Sequence, residues 1–382
     1  EGTGVTHPGL TFMKVRLLAA KQQEESEKQG VSGDVDAHRE WLDQADALVE
    51  EELAGKFKDE MNVRYQAAEY FWNTKRTGRA VTLYEAIKAD MARHYMANRR
   101  LAEQYLKDKE FEQAKDCVNV LLSYPLDDEG RRLVDDINAG LENELLEKLS
   151  SDPQDGKARL DLGWCYLQDE DTQKAIDLMK DFQPDENNEK DYSNLMGKVY
   201  YYAKEPQKAE TLVRRWLELL EEQLPEDEEK RQNDIERIAT AHSMLGQMAL
   251  ERGKALSDAK EREREYIQAQ AQIKAAMEAH YNPGQEYALA SLYYEWEKYE
   301  ECEKICNSLK EQYRDFSAAV ILHQQACAKQ FDAGNVIGDY YTLAQLEPQY
   351  TPSYELAAEV FYQLKRWEDL EKLLDEAKEK HS

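Results

Sequence analysis

The sequence lacks nearly everything that marks a strand, a membrane span or a catalytic loop. No Val/Ile/Thr-rich run alternates between turn residues, which argues against β-structure. No apolar run approaches the length that crosses a bilayer. The stretch MKVRLLAAK, Met13 to Lys21, has an apolar part of only a few residues, too short for a signal-peptide core. The phosphate loop G-x-x-x-x-G-K-[ST], the dinucleotide fingerprint G-x-G-x-x-G, the zinc-protease helix H-E-x-x-H and the nucleophile elbow G-x-S-x-G are all missing. The seven histidines are dispersed, so no catalytic residue is expected and the chain is read as no enzyme. Cysteine is scarce too: Cys117, Cys165, Cys302, Cys306 and Cys327 are the five. An odd number of thiols in helical segments fits a reduced, cytoplasmic protein better than a disulfide framework. Cys302 and Cys306 share a helix face, but no second pair follows at zinc spacing, so core packing is expected, with no metal and no cofactor.

Positive charge is likewise in short supply. The 50 Lys and Arg face 78 Asp and Glu, a formal net charge of −28. Such a surface repels phosphate backbones and anionic headgroups, so neither nucleic acid nor membrane is an expected partner. The basic stretches Lys75-Arg76-Arg79 and Arg99-Arg100 are too short to reverse this. What is plentiful is helical periodicity. Segments such as EQAKDCVNVLL and WEDLEKLLDEA place apolar residues at i, i+3 and i+4. At 382 residues with 41% apolar content, the chain exceeds one compact core, leaving two domains or a repeat array. It opens on Glu1 rather than methionine, which sets the expectation of a processed or longer protein with a module ahead of this sequence.

A repeat is present. The stretch LGWCYLQDEDTQKA, Leu162 to Ala175, returns as MGKVYYYAKEPQKA, Met196 to Ala209, after 34 residues. Ala68, Phe71 and Ala80 align in the same way with Ala102, Tyr105 and Ala114. Ala290, Tyr293 and Cys302 step on to Gln324, Cys327 and Val336, then to Ala358, Phe361 and Leu370. Small residues at two recurrent positions let paired helices approach, and the bulky residue between them fills the gap to the next unit. Pro125, Pro153, Pro184, Pro283 and Pro348 punctuate the hairpins.

This grammar resembles the tetratricopeptide repeat, W-x2-L-G-x2-Y followed by Ala, a bulky residue and Pro, over roughly Met61 to Ser382. The opening Trp is missing throughout, so the members are divergent. The resemblance implies an all-α fold, a right-handed superhelical solenoid of stacked antiparallel helical hairpins. Its units are expected near 61–94, 95–121, 122–155 (degenerate), 156–189, 190–223, 224–282 (elongated), 283–316, 317–350 and 351–382. Residues 1–60 read as an N-terminal helical capping pair, Thr11–Gln29 and Asp34–Gly55. In the elongated unit the second helix is expected about a dozen residues late.

The resemblance also implies that the first helix of each hairpin lines a concave groove. Its inward positions here are Tyr65 and Trp72, then Arg99, then Leu160 and Trp164, then Asn194, Lys198, Tyr201 and Tyr202, then Tyr287 and Tyr294, and finally Tyr362. Tyr200 is assigned to the core. Large flat side chains with a polar handle suit recognition of a peptide or protein. The Lys/Asn clamp of the chaperone-binding members is not reproduced, since Leu160, Trp164, Leu195 and Asp191 stand at its places. The expected role is therefore a scaffold binding a peptide or protein partner of basic character. The alternative is a substrate-binding or regulatory arm of a larger protein, of chaperone or signalling type. Self-association through the elongated hairpin, 219–280, is a third expectation.

Overall fold

The computed structural model describes residues 7–28, 40–222 and 224–380, and among these it is all-α, with nineteen α-helices and no strand. Two compact units divide at Cys165/Tyr166. The first holds α1 (Pro8–Lys28), α2 (Glu40–Leu48) running into a π-helical turn (Val49–Lys56), α3 (Met61–Asn73), α4 (Thr77–Asp90), α5 (Tyr95–Asp108), α6 (Phe111–Leu121) and α7 (Asp128–Ser151). Helix α8 (Gly156–Gln168) crosses the division. The second holds α9 (Thr172–Met179), α10 (Glu189–Tyr202), α11 (Pro206–Glu222), α12 (Glu228–Ala255), α13 (Ala259–Ala279), α14 (Pro283–Glu295), α15 (Tyr299–Gln312), α16 (Ser317–Lys329), α17 (Ala333–Leu346), α18 (Thr351–Gln363) and α19 (Trp367–Lys380). The stretch 29–39, where the expected capping pair joins, lies outside the described residues.

The recurrent bulky residue has a backbone task as well as a packing one. After Phe71 the helix ends with Lys75 in the left-handed region at φ 62°. The Arg76 amide then donates to the Phe71 carbonyl at 2.8 Å, and the Lys75 amide to Trp72 at 3.0 Å. These two bonds are a Schellman closure, which satisfies carbonyls the helix end leaves open. The same pair of bonds recurs on the carbonyls of Tyr105, Tyr166, Tyr200, Tyr293, Cys327 and Phe361. The left-handed residue is Lys109, Glu170, Lys204, Glu297, Phe331 and Lys365 in turn, and none of the seven is glycine. The helices that follow open on side-chain caps where the sequence supplies an Asp: Asp171 accepts from the Lys174 amide and Asp332 from that of Asn335, each at 3.1 Å.

With turns this short, consecutive helices must run antiparallel and pack on one another. In the second unit each helix from α9 to α19 touches the next, and the first helices α12, α14, α16 and α18 also touch in series. That is the packing of a solenoid, and the small recurrent positions sit at its seams. Ala68, Ala80, Ala102, Ala114, Ala209 and Ala290 are fully buried. Gln324, at a place other hairpins give to a small residue, is buried as well. Its amide donates to the Val336 carbonyl at 3.1 Å and the Ser353 carbonyl at 3.4 Å, bridging to the next hairpin.

Two features differ from expectation. The segment 122–155 forms one helix of 24 residues, α7, whose Leu133, Val134, Ile137, Leu141 and Leu145 are buried on one side. Between Gly246 and Ala259 lie thirteen steps, against nine from Gly197 to Pro206, so the second helix of the elongated unit starts four residues late rather than a dozen. The extra length is chiefly the N-terminal part of α12, which spans 28 residues.

Candidate functional site

On the first unit, Tyr65 and Trp72 stand two turns apart on α3 and both are half-buried. They belong to one network. The Tyr84 hydroxyl donates to Glu69, and the Arg100 guanidinium spans Glu69 (3.1 Å) and Glu103 (2.9 Å). Its carbon also lies 5.2 Å from the centre of the Trp72 ring, a cation–π contact. Burial pushes the Glu69 carboxyl up, but the hydrogen bonds from Arg100 and Tyr84 outweigh it and hold the group below its ordinary range. Arg99, by contrast, is spent within the fold. It reaches Asp127 at 2.9 Å and Glu129 at 3.3 Å, tying α5 to the start of α7. Leu160 is buried at 5% exposure, so it packs instead of lining a surface, while Trp164 on α8 is half-buried.

On the second unit, Asn194 and Lys198 lie one turn apart on α10. The Asn194 Oδ1 is buried without a hydrogen-bond partner. Lys198 extends over the Trp216 ring at 5.6 Å, where burial first, and then Arg237, lowers its pKa. Tyr200 and Tyr201 both pack against the core around Trp216 and Val213, which leaves Tyr202 exposed at the end of the helix. Tyr287 and Tyr294, two turns apart on α14, each rest one side on the core formed by Ala290, Cys302 and Cys306. Burial raises both phenols, so they stay neutral donors throughout the physiological range. Tyr362 is exposed on α18 and meets the Trp367 ring edge-on at 5.6 Å.

Sequence reading missed a buried polar cluster where α15, α16 and α17 meet. His323 and Asp339, 1% and 4% exposed, share a short hydrogen bond, and Lys310 reaches Asp339 at 2.7 Å. Cys327 lies 3.7 Å from His323 Nδ1. The order thiol, imidazole, carboxylate is that of a nucleophile, its base and its orienter. Burial, then the carboxylates of Glu303, Asp339 and Asp332, push the thiol up to about 12, so it is no thiolate nucleophile. The available signal was the i, i+4 spacing of His323 and Cys327. The other partners come from separate helices.

Among the described residues, no helix is long and apolar enough to cross a membrane. Residues 143–199 match the family model described as tetratricopeptide repeat. No curated protein matches the sequence. Among solved structures, the TPR domain of P58(IPK) is similar at 16% identity, covering 91% of this chain and 98% of that one, with a TM-score of 0.28. Yeast Tom70 is similar at 14% identity, covering 84% and 69%, with a TM-score of 0.35. The APC/C hetero-tetramer Cut9–Hcn1 gives 13% identity, 90% and 67% coverage, and a TM-score of 0.40. Seven hairpin turns close in the same way, and four of the six intervals between their left-handed residues are 34 residues. Residues 143–199 are thus similar to the tetratricopeptide repeat, and they lie in an array of stacked helical hairpins.

Proposed function

We propose that the chain is a non-enzymatic scaffold that holds a peptide or protein segment of basic character on the exposed sides of its first helices. One observation carries this reading: Tyr287 and Tyr294 are half-buried against the core of Ala290, Cys302 and Cys306, and burial keeps their phenols neutral. Side chains held this way lose little entropy on binding while covering a large flat area. Tyr202 and Tyr362 extend the aromatic surface, and Tyr65 and Trp72 supply a corresponding pair on the first unit. The net charge of −28 favours a cationic partner and makes its capture sensitive to salt.

The test is selection of displayed peptides on the wild-type chain, followed by titration of the selected peptides against Tyr287→Ala/Tyr294→Ala. Loss of two aromatic anchors, each contributing about 1–3 kcal/mol when desolvated, predicts affinity reduced by about tenfold or more. Selected peptides should be enriched in Lys and Arg and should bind more weakly at high ionic strength. Unchanged affinity in a variant of unaltered helicity would overturn the placement of the site. Affinity independent of salt would remove the electrostatic part.

A further inference from the structure

The polar cluster between α15 and α16 contains more than an ion pair. Among the described residues, one group of three brings metal-ligating atoms together: Glu303 on α15 with His323 and Cys327 on α16, one donor atom of each within 4.8 Å of the others. His323 and Cys327 are four residues apart and so share one helix face. Both are buried, and Glu303 is half-buried. A tetrahedral Zn2+ with bonds of ~2.0 Å to nitrogen and ~2.3 Å to sulfur separates those two atoms by about 3.6 Å. Cys327 Sγ stands 3.8 Å from His323 Nε2.

The surrounding contacts orient the same three groups. The Asp339 carboxylate engages His323 Nδ1 and is itself anchored by Lys310, whose Nζ lies 2.7 Å from Asp339 Oδ1 and 3.0 Å from Nδ1. A proton on Nδ1 shared with the carboxylate leaves the lone pair on Nε2, the tautomer that a metal-ligating histidine needs. Gln330 Nε2 donates to Glu303 Oε2 at 3.2 Å and steadies the third group. Charge closes as well. Glu303, Asp339 and a Cys327 thiolate carry three negative charges, which Lys310 and a divalent ion balance, so burial is not penalised by a net charge.

We propose that Glu303, His323 Nε2 and Cys327 form a site for a borderline-soft divalent cation of the Zn2+ class, with water in the fourth position on the half-buried Glu303 side. Sγ is almost equidistant from the two ring nitrogens, so closing the site takes a turn of Cys327 towards Nε2. As the sulfur–metal bond forms, the thiol proton leaves to solvent. The ion then cross-links α15 to α16 and stabilises the folded hairpins by mass action.

Cobalt(II), titrated into the full chain after chelator treatment and under a non-chelating reductant, tests this. The expected result is a thiolate-to-cobalt charge-transfer band with the visible bands of a tetrahedral ion, saturating at one equivalent and displaced by Zn2+. Cys327→Ser should abolish the charge-transfer band, Glu303→Gln should weaken binding by about tenfold or more, and Cys117→Ser should change neither. No charge-transfer band in the wild type, or the same band in Cys327→Ser, overturns the assignment. Should Cys327→Ser lose its helicity, Glu303→Gln decides: unchanged cobalt affinity in that variant also overturns it.

Discussion

Replacing Gly246 by alanine perturbs the solenoid at a seam where α12 and α13 approach closely. A Cβ there would lie 2.8 Å from Ile273 Cγ1, 3.3 Å from the Ala269 carbonyl oxygen and 3.4 Å from the Ile273 amide. Ile273 is buried and β-branched on α13, so its side chain has one favoured rotamer and little room to turn away. The two backbone contacts can relax only if α13 moves off α12. Overpacking of this kind costs roughly 1–3 kcal/mol, while alanine returns about 1 kcal/mol of helix propensity, for a net loss of about 1 kcal/mol. Gly338 supplies the opposite case. It lies inside α17 with nothing within 4 Å of its would-be Cβ, so Gly338→Ala should gain the propensity term alone, about 1 kcal/mol. In a unit of this size each kcal/mol moves Tm by about 2–4 °C. Thermal unfolding should therefore move the two variants to opposite sides of the wild type. Two shifts of the same sign would refute the close-approach reading of the Leu-Gly positions.

Other perturbations have equally defined directions. Phe331 is 86% exposed with φ 59°, so Phe331→Gly should relieve left-handed strain of about 1–2 kcal/mol, offset in part by glycine's entropy in the unfolded chain. A urea midpoint that falls would show that the ring is held by contacts outweighing the strain. The folded pKa of Glu69 lies below its unfolded value, so its stabilisation is fully present above the unfolded pKa of about 4.3 and is lost as pH falls through the folded one. Glu69→Gln should accordingly flatten the acid side of the stability profile, and parallel acid limbs for the two proteins would count against that. Removing the Lys310 ammonium with Lys310→Met leaves the buried Asp339 carboxylate with His323 alone and should cost roughly 2–3 kcal/mol in denaturant melts.

How much of this was legible in the sequence depends on how far apart the interacting residues lie. The hairpins were legible because Ala68, Phe71 and Ala80 meet within one unit and recur at fixed spacing. The Schellman closures were hidden for a local reason. Their left-handed residues are Lys, Glu and Phe, so the usual glycine marker is missing from all seven. The single helix α7 was hidden because the repeat register breaks over 122–155, which reads only as a degenerate unit. The candidate faces were half legible. The inward register picks out Tyr287, Tyr294 and Asn194 as candidates, but it could not show that Asp127 and Glu129 occupy Arg99, or that Leu160 and the Asn194 Oδ1 are buried. The cluster of Lys310, His323, Cys327 and Asp339 is assembled by three helices, and only its His323/Cys327 spacing is written in one of them.

The distribution of ion pairs bears on which surfaces remain available to a partner. Arg100 is shared between Glu69 and Glu103, Arg215 between Glu189 and Glu218, and Arg252 between Glu210 and Glu265. Such bridges stitch neighbouring helices, and a ligand that displaced one would leave its former partner to be resolvated. Acidic residues outnumber basic ones by 28, so many carboxylates have no cation of the chain to answer them. A basic partner can meet those carboxylates without breaking any existing pair, whereas an acidic partner must compete for cations already engaged. On the proposed reading Tyr201, Tyr287 and Tyr294, whose phenols burial keeps neutral, would meet the partner's apolar and amide groups without first surrendering a charge. On the proposed reading, long-range attraction by the carboxylates and short-range anchoring by the core-held rings fall to different residues, so salt should screen the first and leave the second.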